Sequence, residues 1–259
     1  MRADGATRAD LTLFARGLAQ SRAHAQALIA GGRVSVRAAG SVGERPVRKP
    51  SEIIAPDAEL SVRPGAAEDF VSRGGVKLAA AFDRVGARLE GARVFDVGIS
   101  TGGFAHCCLA RGAAFVFGID VGHGQLHPSL IGHPRLRALD GVNGRELAPD
   151  LMRREAGDAP FDLVVADVSF ISLTLVLPPA IQYLRSGGHA MALVKPQFEV
   201  GRSGIGKGGV VKDPAEHKKA ERKILELARE IGLVTEDYFE SSIEGTGGNK
   251  EFFLWAAKP

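Results

Sequence analysis

Two lysines and two acids stand out in this 259-residue sequence because each adjoins an apolar stretch or a glycine turn. Asp167 and Lys195 each end an apolar run, Glu251 begins the last one, and Lys77 follows two glycines. Lys77 also starts a predicted helix, an end that favours acids. Charges at the ends of buried strands are costly unless paired, so we expect the four side chains to face one cleft. There a lysine can act as general base toward a weak acid such as a hydroxyl group. The plainer interpretation of Lys77 is a surface lysine.

A glycine-rich stretch, residues 94–104, is predicted to be a buried strand that runs into a tight turn and a helix. Its sequence is Val-Phe-Asp-Val-Gly-Ile-Ser-Thr-Gly-Gly-Phe. Ligands of open α/β sheets bind outside the carboxyl ends of the strands, so this turn is the expected ligand loop. A dinucleotide-binding turn needs Gly-x-Gly-x-x-Gly, and Ser100 stands at the second glycine position. That substitution weakens a hydride-transfer interpretation.

The pattern Asp-x-Gly-x-x-x-Gly-Gly-Phe instead resembles motif I of S-adenosylmethionine-dependent methyltransferases. By this resemblance the loop holds the methionine moiety and ribose of S-adenosylmethionine. Asp120, at the end of the next strand, is placed to accept hydrogen bonds from ribose hydroxyls, and Asp140 is expected to meet the adenine amino group. The alternative for each acid is a helix cap or a loop surface residue. The predicted cofactor-binding residues are Asp96, Gly98, Ser100, Thr101, Gly102, Gly103, Phe104, Asp120, Asp140 and Asp167.

The elements that would position these residues alternate along the chain from residue 91. Strand signals lie at residues 94–97, 114–119, 136–139, 161–167, 188–195 and 251–257, with helix signals between most of them. This order predicts a Rossmann-like, doubly wound α/β sheet that is mainly parallel. Two helices and short strands before it predict a small α+β unit. We therefore divide the chain into residues 8–62, a linker at 63–72 and a sheet domain at 73–259.

Composition is that of an ordinary globular protein, with 45% hydrophobic residues, 24% charged residues and a net charge of +3. No apolar run approaches the ~18 residues that span a membrane. The N-terminus lacks the apolar segment of a signal peptide, so we expect a cytoplasmic protein. Cys107 and Cys108 are the only cysteines. Two cysteines alone make no metal site, so we expect no metal.

Basic residues are concentrated near the N-terminus. Residues 16–49 contain seven basic residues and one acid, Glu44. The pattern Leu11…Arg16-Gly-Leu…Ser21-Arg22…Ala27-Leu-Ile…Gly32-Arg-Val-Ser-Val resembles the alpha-L RNA-binding motif, in which two helices present basic side chains to folded RNA. Phosphate contacts of this kind supply affinity more than selectivity. The predicted RNA-binding residues are Arg16, Arg22, Arg33 and Arg37, and the alternative is a solvated charged face.

Six motifs in order along the chain are similar to those of the TlyA family. They are Ser-Arg-Gly-Gly-Val-Lys-Leu at 72–78, the glycine loop, Ile-Asp-Val-Gly-His-Gly-Gln-Leu at 119–126, Asp-Val-Ser-Phe-Ile-Ser-Leu at 167–173, Leu-Val-Lys-Pro-Gln-Phe-Glu at 193–199 and Gly-Lys-Gly-Gly-Val-Val-Lys-Asp-Pro at 206–214. The family joins an alpha-L RNA-binding domain to an FtsJ-like, Rossmann-like methyltransferase. Its members are ribosomal RNA cytidine-2'-O-methyltransferases, and some are labelled haemolysins.

This resemblance implies a catalytic tetrad of Lys77, Asp167, Lys195 and Glu251. It implies that Lys195 is the base for a ribose 2'-hydroxyl, that Asp167 and Glu251 orient it, and that Lys77 tunes the charge. Ribosomal RNA within the ribosomal subunits would be the partner, and S-adenosylmethionine the cofactor.

Three other functions stay open at this point. The first is an FtsJ-like 2'-O-methyltransferase of another RNA, and the second a ribosome-binding protein without catalysis, against which the intact tetrad argues. The third is a membrane-active haemolysin, which a chain without an apolar-faced basic helix fits poorly.

Overall fold

The structure of the protein is a computed structural model, and it describes residues 6–19, 22–41, 43–62, 70–201 and 204–259. The chain divides into two compact units, Met1–Asp69 and Phe70–Pro259. Their boundary falls in the stretch expected to be a linker, of which residues 63–69 lie outside the described residues. Within the described ranges, no helix is both long enough and apolar enough to cross a membrane.

The described part of the N-terminal unit consists of two helices and five short strands. In chain order they are β1 Thr7–Arg8, α1 Ala9–Ala15, α2 Arg22–Ala30, β2 Val34–Arg37, β3 Arg45–Pro46, β4 Ile53–Ile54 and β5 Glu59–Val62. Strand β2 lies between β3 and β5, and both pairings are antiparallel. Alternate residues of a strand face one side, so Val34 and Val36 both enter the core, where they join Leu13, Leu28 and Ile29.

A buried carboxylate ties the two helices of this unit together. Asp10, in the first turn of α1, is fully buried. It accepts hydrogen bonds from Arg8 at 3.0 Å and from Arg22 and Gln26, both on α2, at 2.9 Å. The hydrogen bond from the Arg8 guanidinium, with those from Gln26 and Arg22, holds the pKa of this carboxyl well below its usual value, although burial opposes the shift. The charge of Asp10 therefore stabilises the helix pair.

The C-terminal unit is built on a seven-stranded sheet. Its helices and strands are α3 Arg73–Val85, β6 Arg93–Val97, α4 Gly103–Ala110, β7 Phe115–Ile119, β8 Leu136–Leu139, α5 Pro149–Ala156, β9 Phe161–Ala166, α6 Leu173–Ile181, β10 Leu184–Val194, α7 Pro196–Glu199, α8 Pro214–Glu230, β11 Val234–Glu240 and β12 Phe252–Ala257. The strand order is β11-β12-β10-β9-β6-β7-β8. Strands β6 to β10 run parallel, whereas β12 is antiparallel to both of its neighbours. The predicted Rossmann-like α/β sheet is confirmed.

The strand order reverses at β6. From β6 the chain proceeds to β7 and β8 on one side, and then returns to β9 and β10 on the other. Such a switch point leaves a crevice outside the carboxyl ends of the two central strands. Phe95, Phe117 and Phe161 pack with ring centroids 5.3–6.3 Å apart, so a buried aromatic cluster joins the three strands β6, β7 and β9.

We predict that Asp10→Asn lowers the free energy of unfolding of α1 and α2 by about 2 kcal/mol, because a buried neutral amide replaces the charged acceptor of the hydrogen bonds from Arg8 and Arg22. The pKa of Asp10 is lower in the folded protein than in the unfolded chain. The loss of stability in Asp10→Asn is therefore complete above about pH 4, the usual aspartate pKa, and becomes smaller as the pH falls further. Hydrogen exchange of the helix amides measures it. The exposed Asp57 offers a control, Asp57→Asn. Equal protection in the two variants would contradict the prediction.

Candidate active site

Charged residues lie together at one edge of the sheet because of the directions in which the strands run. Strands β6, β9 and β10 run parallel, so the residues that follow them, Gly98, Asp167 and Lys195, emerge at the same edge. Strand β12 runs antiparallel to β10, so Glu251, which precedes β12, lies at that edge as well. Residues that are far apart in sequence are thereby brought to one crevice.

The four charged residues form two ion pairs. The Lys195 ammonium lies 2.6 Å from Oδ1 of Asp167 and also donates a hydrogen bond to Ser169 Oγ at 2.9 Å. The Lys77 ammonium donates to Oε2 of Glu251 at 2.6 Å, and both side chains are buried. Burial makes an unpaired charge costly, so each lysine is held beside its acid.

All four residues line one cavity of about 250 Å³. Arg73, Thr101 and Phe104 line it too. Arg73 is exposed and makes no ion pair or side-chain hydrogen bond with any residue that the structure describes, whereas Lys77 and Lys195 are each neutralised by an acid. Counted over the described residues, the cavity lining therefore carries one surplus positive charge, that of the exposed Arg73. The sequence analysis missed Arg73, although it lies inside the motif that contains Lys77.

A larger cavity of about 540 Å³ adjoins the first and shares Gly98, Ser100 and Asp167 with it. Its walls are mostly apolar, with polar groups from Asp120 and Asn143. A mostly apolar cavity with a few polar groups is typical of a site for a small molecule or cofactor. Its position at the strand switch point agrees with that interpretation.

The glycine loop separates the two cavities. Gly98 has a φ of +86°, and a methyl group there would lie 2.8 Å from the backbone oxygen of Asp167, so only glycine fits. The amides of Ser100 and Gly122 donate to the two carboxylate oxygens of Asp120 at 2.8 and 2.7 Å. Each oxygen keeps a lone pair for a further donor, so Asp120 can still accept hydrogen bonds from a ligand hydroxyl.

Two acids predicted to contact the cofactor lie elsewhere. Asp96 is fully buried and lines neither cavity, and burial, together with the nearby Asp167 charge, raises the pKa of its carboxyl well above the usual value. Asp140 is exposed and accepts a hydrogen bond from the Gly124 amide at 2.6 Å. The structure thus brings Asp120 and Asp167 to the cavities, but not Asp96 or Asp140. Gly102 of the loop also lies outside both linings.

An exposed aromatic side chain stands at the mouth of the larger cavity. Phe170 is 92% exposed and has a φ of +65°, a backbone conformation that bulky residues rarely adopt. Its ring lies 5.4 Å from that of Phe198. Exposure and backbone strain together are more typical of a binding residue than of a packing residue.

The four arginines predicted to bind RNA are engaged within the N-terminal unit. Arg16 donates to the backbone oxygens of Ala58 and Pro56, Arg22 pairs with Asp10, Arg37 pairs with Glu59, and Arg33 is buried. A separate basic concavity of about 460 Å³ is lined by Arg45, Arg48 and Lys49, with Pro46, Ser51 and Glu52. Arg48 and Lys49 are exposed and make no ion pair with any residue that the structure describes, so the accessible positive charge of this concavity lies after β2 and not on the helices.

Within the described residues, no group of three or more His, Cys, Asp or Glu side chains is placed to hold a metal ion. The two cysteines are buried thiols on α4, and burial raises the pKa of both.

Comparison with known proteins gives a consistent set of similarities. The family model of FtsJ-like methyltransferases matches residues 70–258. The 16S/23S rRNA (cytidine-2'-O)-methyltransferase TlyA of Mycobacterium tuberculosis is 40% identical over 96% of this chain and 88% of its own length. Hemolysin A of Brachyspira hyodysenteriae is 30% identical over 95% of this chain and 97% of its own.

Solved structures show the same likeness. A candidate hemolysin of Streptococcus thermophilus is 34% identical, with a TM-score of 0.70 over 98% of this chain and 88% of its own. Fibrillarin of Aeropyrum pernix, solved with S-adenosyl-L-methionine, has a TM-score of 0.52 over 78% of this chain and 80% of its own, at 16% identity. At that identity it supports the fold alone.

We predict that Lys77→Met destabilises the C-terminal unit by about 3 kcal/mol, because it strands a buried carboxylate. Lys77→Met combined with Glu251→Gln should recover part of the loss, since no charge is then left buried. Urea unfolding, followed through the fluorescence of Trp255 on β12, measures both. The exposed pair of Lys250 and Glu240 supplies the control, and Lys250→Met should change stability by less than about 0.5 kcal/mol. A loss in Lys77→Met no larger than in the control would refute the prediction.

Proposed function

Because the chain belongs to the family of FtsJ-like methyltransferases, we propose that it transfers the methyl group of S-adenosylmethionine to a ribose 2'-hydroxyl of a cytidine in ribosomal RNA. The observation that carries this proposal is the cavity in which Lys195 and Lys77 are each paired with an acid, directly beside a cavity suited to a cofactor. The cytidine and the ribosomal RNA come from the names of the relatives, and such a substrate implies work in the cytoplasm.

The residues of the larger cavity fit S-adenosylmethionine. Asp120 has free lone pairs for ribose hydroxyls, the apolar side chains of Ile119 and Val142 suit the faces of an adenine ring, and Asn143 offers an amide to its edge. The loop from Gly98 to Phe104 reaches the tetrad cavity and would hold the methionine end. When bound, S-adenosylmethionine supplies a methyl group on a sulfonium, which a single in-line displacement can transfer. We assign Asp96 and Asp140 to shaping the surrounding loops.

Lys195 is the proposed general base. Asp167 and Ser169 hold its ammonium nitrogen at 2.6 and 2.9 Å, which fixes the nitrogen at the junction of the two cavities. There Lys195, as the neutral amine left when its ammonium has given up a proton, would take the proton of the hydroxyl as that oxygen attacks the methyl group and the bond from methyl to sulfur breaks. Lys77, held by Glu251, would keep a second positive charge near the developing oxyanion, and the fixed geometry would supply much of the rate by proximity.

The charge and shape of the mouth support a nucleic-acid acceptor. A ribose 2'-hydroxyl lies next to a phosphodiester, and the surplus charge of Arg73 would match that phosphate. Phe170 offers an exposed ring on which an unstacked base could lie, as in single-stranded RNA recognition. The basic concavity of the N-terminal unit would add affinity for RNA backbone without selecting sequence.

We predict that the protein, incubated with methyl-labelled S-adenosylmethionine and separated ribosomal subunits, labels the RNA of at least one subunit. Lys195→Ala should slow the transfer by about 100-fold or more, the usual contribution of a general base, and leave cofactor affinity within about threefold. Lys250→Ala, which changes a lysine outside the tetrad cavity, is the control.

Unlabelled RNA from both subunits would overturn the proposed function. If Lys195→Ala instead abolished cofactor binding, Lys195 would lose the role of base while the function could stand.

We also predict that Asp120→Ala weakens S-adenosylmethionine binding by about tenfold or more, the usual cost of losing hydrogen bonds to a charged group. Asp140→Ala should change the affinity by less than about threefold, because Asp140 does not line either cavity. Isothermal titration with the full chain measures both. Equal effects of the two substitutions would contradict the assignment of the ribose to Asp120.

A further inference from the structure

A buried carboxylate lies just outside the two cavities. Glu199 is the last residue of α7, and its side chain is 1% exposed. It is not a lining residue of either cavity, so the proposed chemistry does not use it directly. A carboxylate buried this deeply needs strong partners, and its partners show what it does.

Glu199 bonds to the start of another helix. Its Oε1 accepts from the Leu173 amide at 2.8 Å, and its Oε2 accepts from Ser172 Oγ at 2.5 Å. Ser172 is the N-cap of α6, and its hydroxyl also accepts from the Thr174 amide at 3.2 Å. The Glu199 carboxylate therefore caps the N-terminus of α6 with a side chain from another helix.

A lysine balances the charge from the opposite side. The Lys223 ammonium, on α8, donates to Glu199 Oε2 at 2.9 Å and to the Glu199 backbone oxygen at 3.0 Å. It also lies 3.1 Å from Ser172 Oγ. Lys223 neutralises the carboxylate, but it takes no part in the two hydrogen bonds that Glu199 accepts from the start of α6.

These contacts connect the two segments that carry the proposed base. One segment runs from Asp167 to Ser172, and the other from Lys195 to Glu199. At their beginnings, the two are joined by the 2.6 Å ion pair of Asp167 with Lys195, beside paired strands β9 and β10. At their ends, they are joined by Glu199. The single turn of α7 makes the second segment stiff, because the Phe198 amide donates to the Lys195 oxygen at 2.9 Å.

The strained residue Phe170 lies between these two ties. Its left-handed backbone conformation persists only if the surrounding structure holds it, and its ring contacts Phe198, the neighbour of Glu199. Releasing the distal tie would let residues 168–172 relax, and with them Ser169, which holds the Lys195 nitrogen.

We propose that Glu199 is a positioning residue, which fixes the two loops so that Lys195, Asp167 and Phe170 keep their places at the acceptor. This inference rests on the proposed methyl transfer. A different role for Glu199 would be purely structural: the carboxylate would stabilise the fold, and each folded molecule would work equally well without it.

The test compares two substitutions in the full chain. Glu199→Gln removes the charge and weakens the bonds of Glu199 to α6, whereas Lys223→Met removes the counterion and its own hydrogen bond to Ser172 but leaves both bonds of Glu199 to α6. Each should lower Tm. Only Glu199→Gln should lower kcat, by on the order of 100-fold for a loss of alignment near the reacting atoms. KM for RNA and Kd for S-adenosylmethionine should stay within about threefold of wild type. Ser172→Ala, which removes one bond of the tie and keeps the ion pair, covers the case in which Glu199→Gln does not fold; it should lower kcat several-fold.

Hydrogen exchange provides a readout that does not need activity. Amides of residues 168–173 should exchange faster in Glu199→Gln than in Lys223→Met. Two outcomes would overturn the positioning role. One is a wild-type kcat per folded molecule in Glu199→Gln, or in Ser172→Ala if Glu199→Gln does not fold. The other is a fall in kcat that matches the fall in Tm to the same degree in Glu199→Gln and Lys223→Met. An inactive wild type would instead overturn the proposed function, and unchanged exchange at 168–173 would then still count against this inference.

Discussion

Charge neutralisation in a buried crevice governs how the C-terminal unit is arranged. Two ammonium groups at one edge of an apolar sheet would be too costly to bury alone, and each lies 2.6 Å from a carboxylate. The partners can meet only because β12 runs against the parallel strands and begins where β10 ends. The antiparallel strand β12 thus places Glu251 where it neutralises Lys77. It leaves Arg73 as the surplus charge of the cavity.

The sequence predicted the parallel sheet because its strands are short apolar runs that alternate with helix signals, and that fold is confirmed. It did not predict β11, since this strand, Val234–Glu240, lies at the edge of the sheet, is mostly exposed and contains three acids. An edge strand buries only part of its surface, so it lacks the apolar run that marks the others. The ends of the apolar runs also indicated where charges would gather. The pairing of each lysine with its acid depends on the direction of β12. No local sequence pattern predicts that direction.

The same limit explains the residues that the structure places elsewhere. Asp96 lies within β6 and lines neither cavity, whereas the next residue, Val97, lines the larger one, and neighbouring residues of a strand face opposite sides. Arg22 and Arg37 looked free in sequence, but acids 12 and 22 residues away engage them. The sequence did not indicate a role for Phe170 or Glu199. The role of Phe170 depends on its positive φ, and that of Glu199 on its hydrogen bond to the N-cap of a helix that is distant in sequence. Each of these outcomes comes from contacts between residues far apart in the chain.

The atom of RNA that accepts the methyl group can be identified by nucleoside analysis. Ribosomal RNA methylated by the protein would be digested completely to nucleosides, and the labelled species identified by chromatography and mass spectrometry. A crevice built around a paired lysine base predicts label in 2'-O-methylcytidine, on the ribose fragment. Label on a base fragment would contradict the account, because ring or exocyclic methylation needs no base for a ribose hydroxyl.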